Sequence, residues 1–225
     1  MKQRKLVALA VAGALAAGAA DGALAYQAGD VILRVGVASV QPNEHSDPLA
    51  LNGTKLPGTK AGLNNDEQLG LTLTYMLTPQ WGIGVLAATP FEHDIKAKGV
   101  GVDAGSVKHL PPTVTLQYFP LDAKSRWQPY VGLGVNYTLF FDEHVDGQLE
   151  GAGFGPGKLH VDNSWGWAAQ AGLDYQIDSH WQVNAAVWYL DIDTDATFKF
   201  AGNNRITTGI NVDPWVYMLG VGYRF

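Results

Sequence analysis

The chain of 225 residues carries 15 Lys and Arg against 21 Asp and Glu, a formal charge of −6, and contains no cysteine. The acidic balance argues against nucleic acid as a partner, since that binding needs basic patches, and a chain without cysteine cannot rest on a disulfide framework. The length suits one domain, and nothing beyond the first 25 residues offers a long apolar helical run, so any membrane passage must be made by strands.

Lys2, Arg4 and Lys5 precede an apolar run from Leu6 to Ala20, and Ala23-Leu24-Ala25 supplies the small residues a signal peptidase needs. Residues 1–25 therefore read as a secretory signal peptide, and 26–225 as one mature domain starting at Tyr26. The alternative, a spanning helix, fits poorly because the run is short and rich in Ala and Gly. Removing these residues takes away three basic side chains and one acidic one, which brings the charge to −8.

The mature chain alternates with period two, the signature of strands with two unlike faces. Strand one runs from Val31 to Val40, with Leu33, Val35 and Val37 on one face. A polar stretch to about Asn65 reads as an external loop. Strand two, Glu67–Leu77, sets Leu69, Leu71, Leu73, Tyr75 and Leu77 against Gln68, Gly70, Thr72, Thr74 and Met76. After the turn Thr78-Pro79-Gln80, strand three runs from Trp81 to about Ile95, a second loop spans 96–106, and strand four covers 107–119 with Pro111-Pro112 inside it. Strand five, 127–141, is followed by a Gly-rich third loop, 142–163. Strand six covers 164–176, and strand seven, opening at Trp181, points Val183, Ala185, Val187 and Tyr189 outward. A fourth loop near 202–211 leads to the last strand, where Trp215, Tyr217, Leu219, Val221, Tyr223 and Phe225 share one face.

Eight strands with three short turns and four longer loops put both chain ends on one side, the periplasmic side for an exported chain. Trp81, Trp127 and Trp181 each open a strand after a short turn, and Tyr75, Tyr118, Tyr175 and Tyr223 lie near the ends of strands entering that side. Phe91, Tyr137, Phe141, Trp165, Tyr189 and Trp215 supply a second ring at the other interface. Two outward aromatic rings favour an all-β fold, an eight-stranded antiparallel up-and-down transmembrane β-barrel, over a water-soluble lipocalin-like barrel. The expected location is the outer membrane of a Gram-negative bacterium, among outer-membrane lipid and lipopolysaccharide. The terminal Tyr-x-Phe resembles the signal read by the outer-membrane assembly machinery, engaged through Phe225.

An eight-stranded interior is just wide enough to be filled by side chains or to hold one small ligand, so the inward residues decide function. Arg34, Asp174, Gln176 and Arg224 face inward near the periplasmic end and can pair into a polar plug, while Leu86, Phe140, Trp188, Val216 and Met218 make the upper lumen apolar. An apolar lumen is wrong for a water-filled porin and suits small hydrophobic solutes. Pro111 and Pro112 cannot donate to a ladder. They mark either a gap in the wall for sideways exit or merely the cap of a loop before strand four.

Other clusters carry less. Asp191, Asp193 and Asp195 read as a solvated strand extension more readily than as a cation site. His160, Asp162 and Ser164 share a strand face but are too far apart for a nucleophile and base, so no catalysis is expected. His93 and His109 can meet across strands three and four, yet they lack further ligands and read as surface histidines. No metal and no cofactor is expected. The Gly-x-Gly pairs lack a strand-to-helix context and read as slimming of the interior.

Several segments resemble the OmpW family of small outer-membrane barrels: Gln68-Leu69-Gly70-Leu71-Thr72, Leu86-Ala87-Ala88-Thr89-Pro90-Phe91, His109-Leu110-Pro111-Pro112-Thr113, Pro129-Tyr130-Val131-Gly132, 187–193, and the closing 213–225. The resemblance implies a channel for passive uptake of small hydrophobic molecules with lateral release into the membrane. By that resemblance Leu86 and Trp188 line and narrow the channel, and Pro111 and Pro112 lie near its lateral opening. The alternative is a structural or surface-interaction barrel with a filled lumen, and a lipid-modifying enzyme is the third reading.

Overall fold

A computed structural model describes residues 26–121 and 125–225. The expected signal peptide lies outside the described residues. Eight strands close on themselves: β1 Val31–Gln41, β2 Asp66–Met76, β3 Trp81–Ala88, β4 Thr113–Tyr118, β5 Trp127–Val145, β6 Ser164–Gln176, β7 Trp181–Leu190 and β8 Trp215–Arg224. Each pairs antiparallel with its chain neighbours, and β8 returns to β1 with Val35 opposite Val221 and Gly36 opposite Gly220. Closure removes the sheet edges that a bilayer would leave without hydrogen-bond partners. Both termini lie with the short turns, where Phe225 N donates to Val31 O and Arg224 N to His180 O.

The alternation in the sequence becomes two surfaces. Leu69, Leu71, Leu73, Val85, Leu116, Val131, Leu133, Val135, Leu219 and Val221 point outward and stay exposed, an apolar belt matched to lipid. Aromatic pairs bound the belt below, with Trp81 on Tyr118, Trp127 on Tyr175 and Trp181 on Tyr223 at 4.7–5.0 Å between centroids. Tyr137 on Trp165 and Tyr189 on Trp215 bound it above.

Strand pairing reaches into all four stretches expected as loops, and covers most of 96–106 and 202–211. Phe91–Lys98 and Val102–Leu110 form a hairpin joined on one side by Lys60–Leu63 and on the other by the upper part of β5. Gly157–Val161, Asp193–Phe200 and Arg205–Asn211 form a second sheet, extended by Ala50–Leu51 and Thr54–Lys55. The reason is again period two: Phe91, His93, Ile95 and Ala97 are buried while Glu92, Asp94, Lys96 and Lys98 are exposed. This is the pattern of a sheet with one face in water. The strand expected to end at about Ile95 runs on to Lys98, because charge at Lys96 and Lys98 is what the outer face of a strand needs above the membrane. The two sheets bury Ile95, Val107, Leu159, Phe198 and Ile206 in an apolar vestibule on top of the barrel.

Phe91 does not join the outer aromatic ring. The ladder between the third and fourth staves stops after Leu86 opposite Thr113 and resumes at Phe91 opposite His109. Residues 87–90 thus face 110–112, four against three, and the additional residue rotates Phe91 inward, where it is 1% exposed. Pro111 and Pro112 fall in this interruption with strand on both sides of them, so they are not the cap of a loop.

Candidate functional site: the barrel interior

The lower interior is a closed polar network. Arg34 on β1 places Nε 3.0 Å from Asp174 Oδ1 and its terminal nitrogen 2.5 Å from Oδ2, a bidentate pair with both residues at most 1% exposed. The other terminal nitrogen of Arg34 donates to Thr74 Oγ1, whose hydroxyl donates to Gln117 Oε1 at 3.0 Å. Asn184 Nδ2 donates to Asp174 Oδ1 and lies 3.0 Å from the Tyr130 hydroxyl, and Gln117 Nε2 donates to Gln170 Oε1. Tyr26, the expected first residue of the mature chain, donates its hydroxyl to Asp174 Oδ2 at 2.7 Å and sets its ring 5.1 Å from Phe119. A charge buried this deeply is tolerated only because its partners satisfy it.

Two of the expected plug residues, Arg34 and Asp174, therefore come together, and Arg224 reaches the periplasmic rim. Its Nε donates to Ser179 O and its guanidinium lies 3.6 Å from Asp30, at the periplasmic rim. As the last residue of β8, Arg224 lies level with the turns. Sequence reasoning missed Tyr26 and Tyr130. Gly172 opposite Tyr130 marks its place: a Cβ there would stand 2.2 Å from Tyr130 Cζ, so the ring folds over the glycine into the lumen.

The upper interior is apolar. Leu86, Trp188, Val216 and Met218 all point inward and are buried at 5% or less, and Phe140, half-buried, lies higher, its ring 5.8 Å from His109. A cavity of about 10 Å³ lies among Ala38, Leu86, Ala87, Ala88, Phe91, Pro111 and Val216, room for about one water. Its lining joins lumen residues such as Leu86 to the outward Ala87 and to Pro111 at the interrupted seam. A second apolar cavity of about 20 Å³ lies higher, among Leu49, Ile95, Leu149, Phe198 and Ile206.

His93 and His109 lie between these two cavities and are buried, not surface histidines, at 2% and 4% exposure. Their rings stack 4.8 Å apart, and His109 also stacks on Phe91 at 5.5 Å. At this level the outer face carries the ion pair of Lys108 with Asp142, which places both histidines beyond the hydrocarbon. Burial lowers the His93 pKa and pushes His109 down to about 3, with the neighbouring His93 adding to the effect. His160 faces water 3.3 Å from Asp162, whereas Ser164 is buried and accepts from Asp193 N. The chain reverses face between them, which separates a nucleophile from its base. Among the described residues no group of three or more His, Cys, Asp or Glu is placed to hold a metal.

A closed eight-stranded barrel with an apolar belt between two aromatic girdles is an outer-membrane β-barrel. The chain belongs to the OmpW family, whose family model matches residues 27–225. It is 45% identical over 205 residues to outer membrane protein W of Vibrio cholerae serotype O1, across 89% of this chain and 91% of that one. The crystal structure of the outer membrane protein OprG from Pseudomonas aeruginosa matches with a TM-score of 0.86 at 44% identity, covering 91% of this chain and 99% of that one. Outer membrane protein AlkL of Ectopseudomonas oleovorans is 30% identical over 204 residues, across 89% of this chain and 84% of the other. These relatives and the barrel place the chain in the outer membrane of a Gram-negative bacterium.

Proposed function

We propose that this barrel is a passive channel for small hydrophobic molecules, which come in through the vestibule and leave sideways into the membrane, with no chemistry on the solute. The observation that carries this reading is an apolar interior that ends on a hydrogen-bonded polar floor and beside a proline-interrupted wall. An apolar molecule gains nothing by crossing the floor, where it would have to displace paired charges. At the seam it meets two residues without backbone N–H and a neighbouring lipid phase. Leu86, Phe140, Trp188, Val216 and Met218 line the route, Pro111 and Pro112 border its exit, and Arg34 with Asp174 closes the periplasmic end. Membrane lipid with lipopolysaccharide surrounds the channel, and Phe225 at the terminus serves the assembly machinery.

Trp188, at 1% exposure, and a cavity of only about 10 Å³ favour a second reading, a filled structural barrel whose outer surface does the work. Under the channel reading Trp188 and Leu86 must swing aside for a solute. Uptake of an apolar fluorophore into proteoliposomes separates the two. Pro111→Ala with Pro112→Ala returns two ladder donors and should slow uptake by roughly tenfold, the effect of one to two added hydrogen bonds, and Trp188→Ala should change the rate as well. Rates equal to the parent in both variants would leave the filled barrel standing.

A further inference from the structure

The vestibule contains two polar atoms that its apolar chemistry does not explain. His93 Nδ1 lies 2.6 Å from the carbonyl oxygen of Asn64, which can only accept, so Nδ1 carries the proton and Nε2 of the neutral ring presents a lone pair. That Nε2 is buried without a partner, and so is His109 Nδ1. Buried polar atoms are paired in nearly all folded proteins; the other buried side-chain atoms without a partner, on Thr72, Gln176, Gln182 and Asn184, lie in the polar lower interior, whereas these two lie among carbon. A packing role alone would be served better by Phe or Leu at both positions. The two rings sit between an apolar cavity bordered by Phe91 and another bordered by Ile95, residues two before and two after His93 on the same strand face.

We propose that the histidine pair is a hydrogen-bonding station for apolar solutes that carry a single hydroxyl group, such as medium-chain aliphatic alcohols. The inference rests on the channel reading and names the solute class. A hydroxyl donates to the lone pair of His93 Nε2, and its oxygen can accept from His109 when Nδ1 holds the proton, while the chain lies against Phe91, Leu86 and Val216. Neutral rings suit a neutral ligand: burial holds both pKa values below the ordinary histidine range, so neither ring competes for an anion at pH 7. An alkane of equal length needs the same side chains to move aside but leaves both nitrogens unpaired.

The test uses the full mature chain in lipid nanodiscs and in proteoliposomes, with decane and 1-decanol as the paired solutes and protein-free liposomes subtracted. Adding 1-decanol should move the side-chain nitrogen-15 resonance of His93 Nε2, and decane should not. The variant His93→Phe/His109→Phe should lose about fivefold of the preference for 1-decanol over decane, the worth of one hydrogen bond, with decane uptake unchanged. If both solutes pass and the preference is the same in the variant, the station is wrong and the channel reading survives. Should neither solute pass through the parent protein, the channel reading fails and the station falls with it. Where the variant does not fold, the resonance of the unaltered protein decides: no shift with saturating 1-decanol overturns the proposal.

Discussion

The two halves of the interior solve burial in opposite ways. Below, Arg34, Thr74, Gln117, Tyr130, Gln170, Asp174 and Asn184 form one network of charge and hydrogen bonds. Above, Trp188, Val216, Met218 and Phe91 fill the space with carbon, and one ring nitrogen each of His93 and His109 is left without a partner. The network is directional, because Asp174 accepts from Arg34, Tyr26 and Asn184 at once and cannot move without stranding them, although Asn184 Oδ1 and the Gln176 side chain are themselves buried without a partner. Apolar packing has no such directional demand, so the upper half can repack around a guest. Under the channel reading the floor holds shape and the column above it yields.

The largest expected break falls on the floor. Asp174→Ala strands the Arg34 guanidinium in the barrel axis and should remove about 3–5 kcal/mol of stability, as loss of one partner from a buried pair does. Urea unfolding in detergent micelles measures it. Asp174→Leu combined with Arg34→Leu should recover most of that loss, which sharpens the point that pairing, and not charge as such, holds the floor.

A smaller effect separates the halves by pH. His109 is held neutral in the fold by burial, with a pKa of about 3, against about 6.5 in an unfolded chain. Above pH 6.5 both states are neutral and no penalty exists. As pH falls from there, the unfolded chain gains protons that the fold refuses, and the penalty grows until about pH 3. From pH 7 to pH 5, His109 should weaken the fold by about 2 kcal/mol. His109→Phe should flatten this slope, read from unfolding midpoints across that interval.

Much of the barrel was legible because lipid imposes strict alternation on one face. From Leu69 to Tyr75 and from Trp215 to Tyr223 the sequence says outward at each odd number, and the structure agrees. Legibility ended where the medium changed. Above the girdles the outer face meets water, so Lys96 and Lys98, and Val102 to Ser106 across from them, sit on strands that look like loop. It ended also where register shifted, because Thr89-Pro90 adds one residue against 110–112 and turns Phe91 inward without any local sign in the alternation. The inward positions of Leu86, Trp188, Val216 and Met218 follow from period two alone. Parity gives the face of Arg224 and not its depth along the axis, which its contacts with Ser179 O and Asp30 set at the rim. Tyr26 precedes the first strand, where no periodicity speaks, and its place in the floor is set by Asp174, 148 residues away.

The central claim is that solute leaves through the seam between 87–90 and 110–112. The chain has no cysteine, so Ala87→Cys with Leu110→Cys introduces a unique pair on its two sides. A short bifunctional thiol reagent then staples the seam from the lipid face, and apolar-fluorophore uptake is followed before and after linking. The account predicts parental uptake in the unlinked protein and at least a severalfold fall on linking. Uptake that proceeds at the same rate with the seam stapled would contradict it.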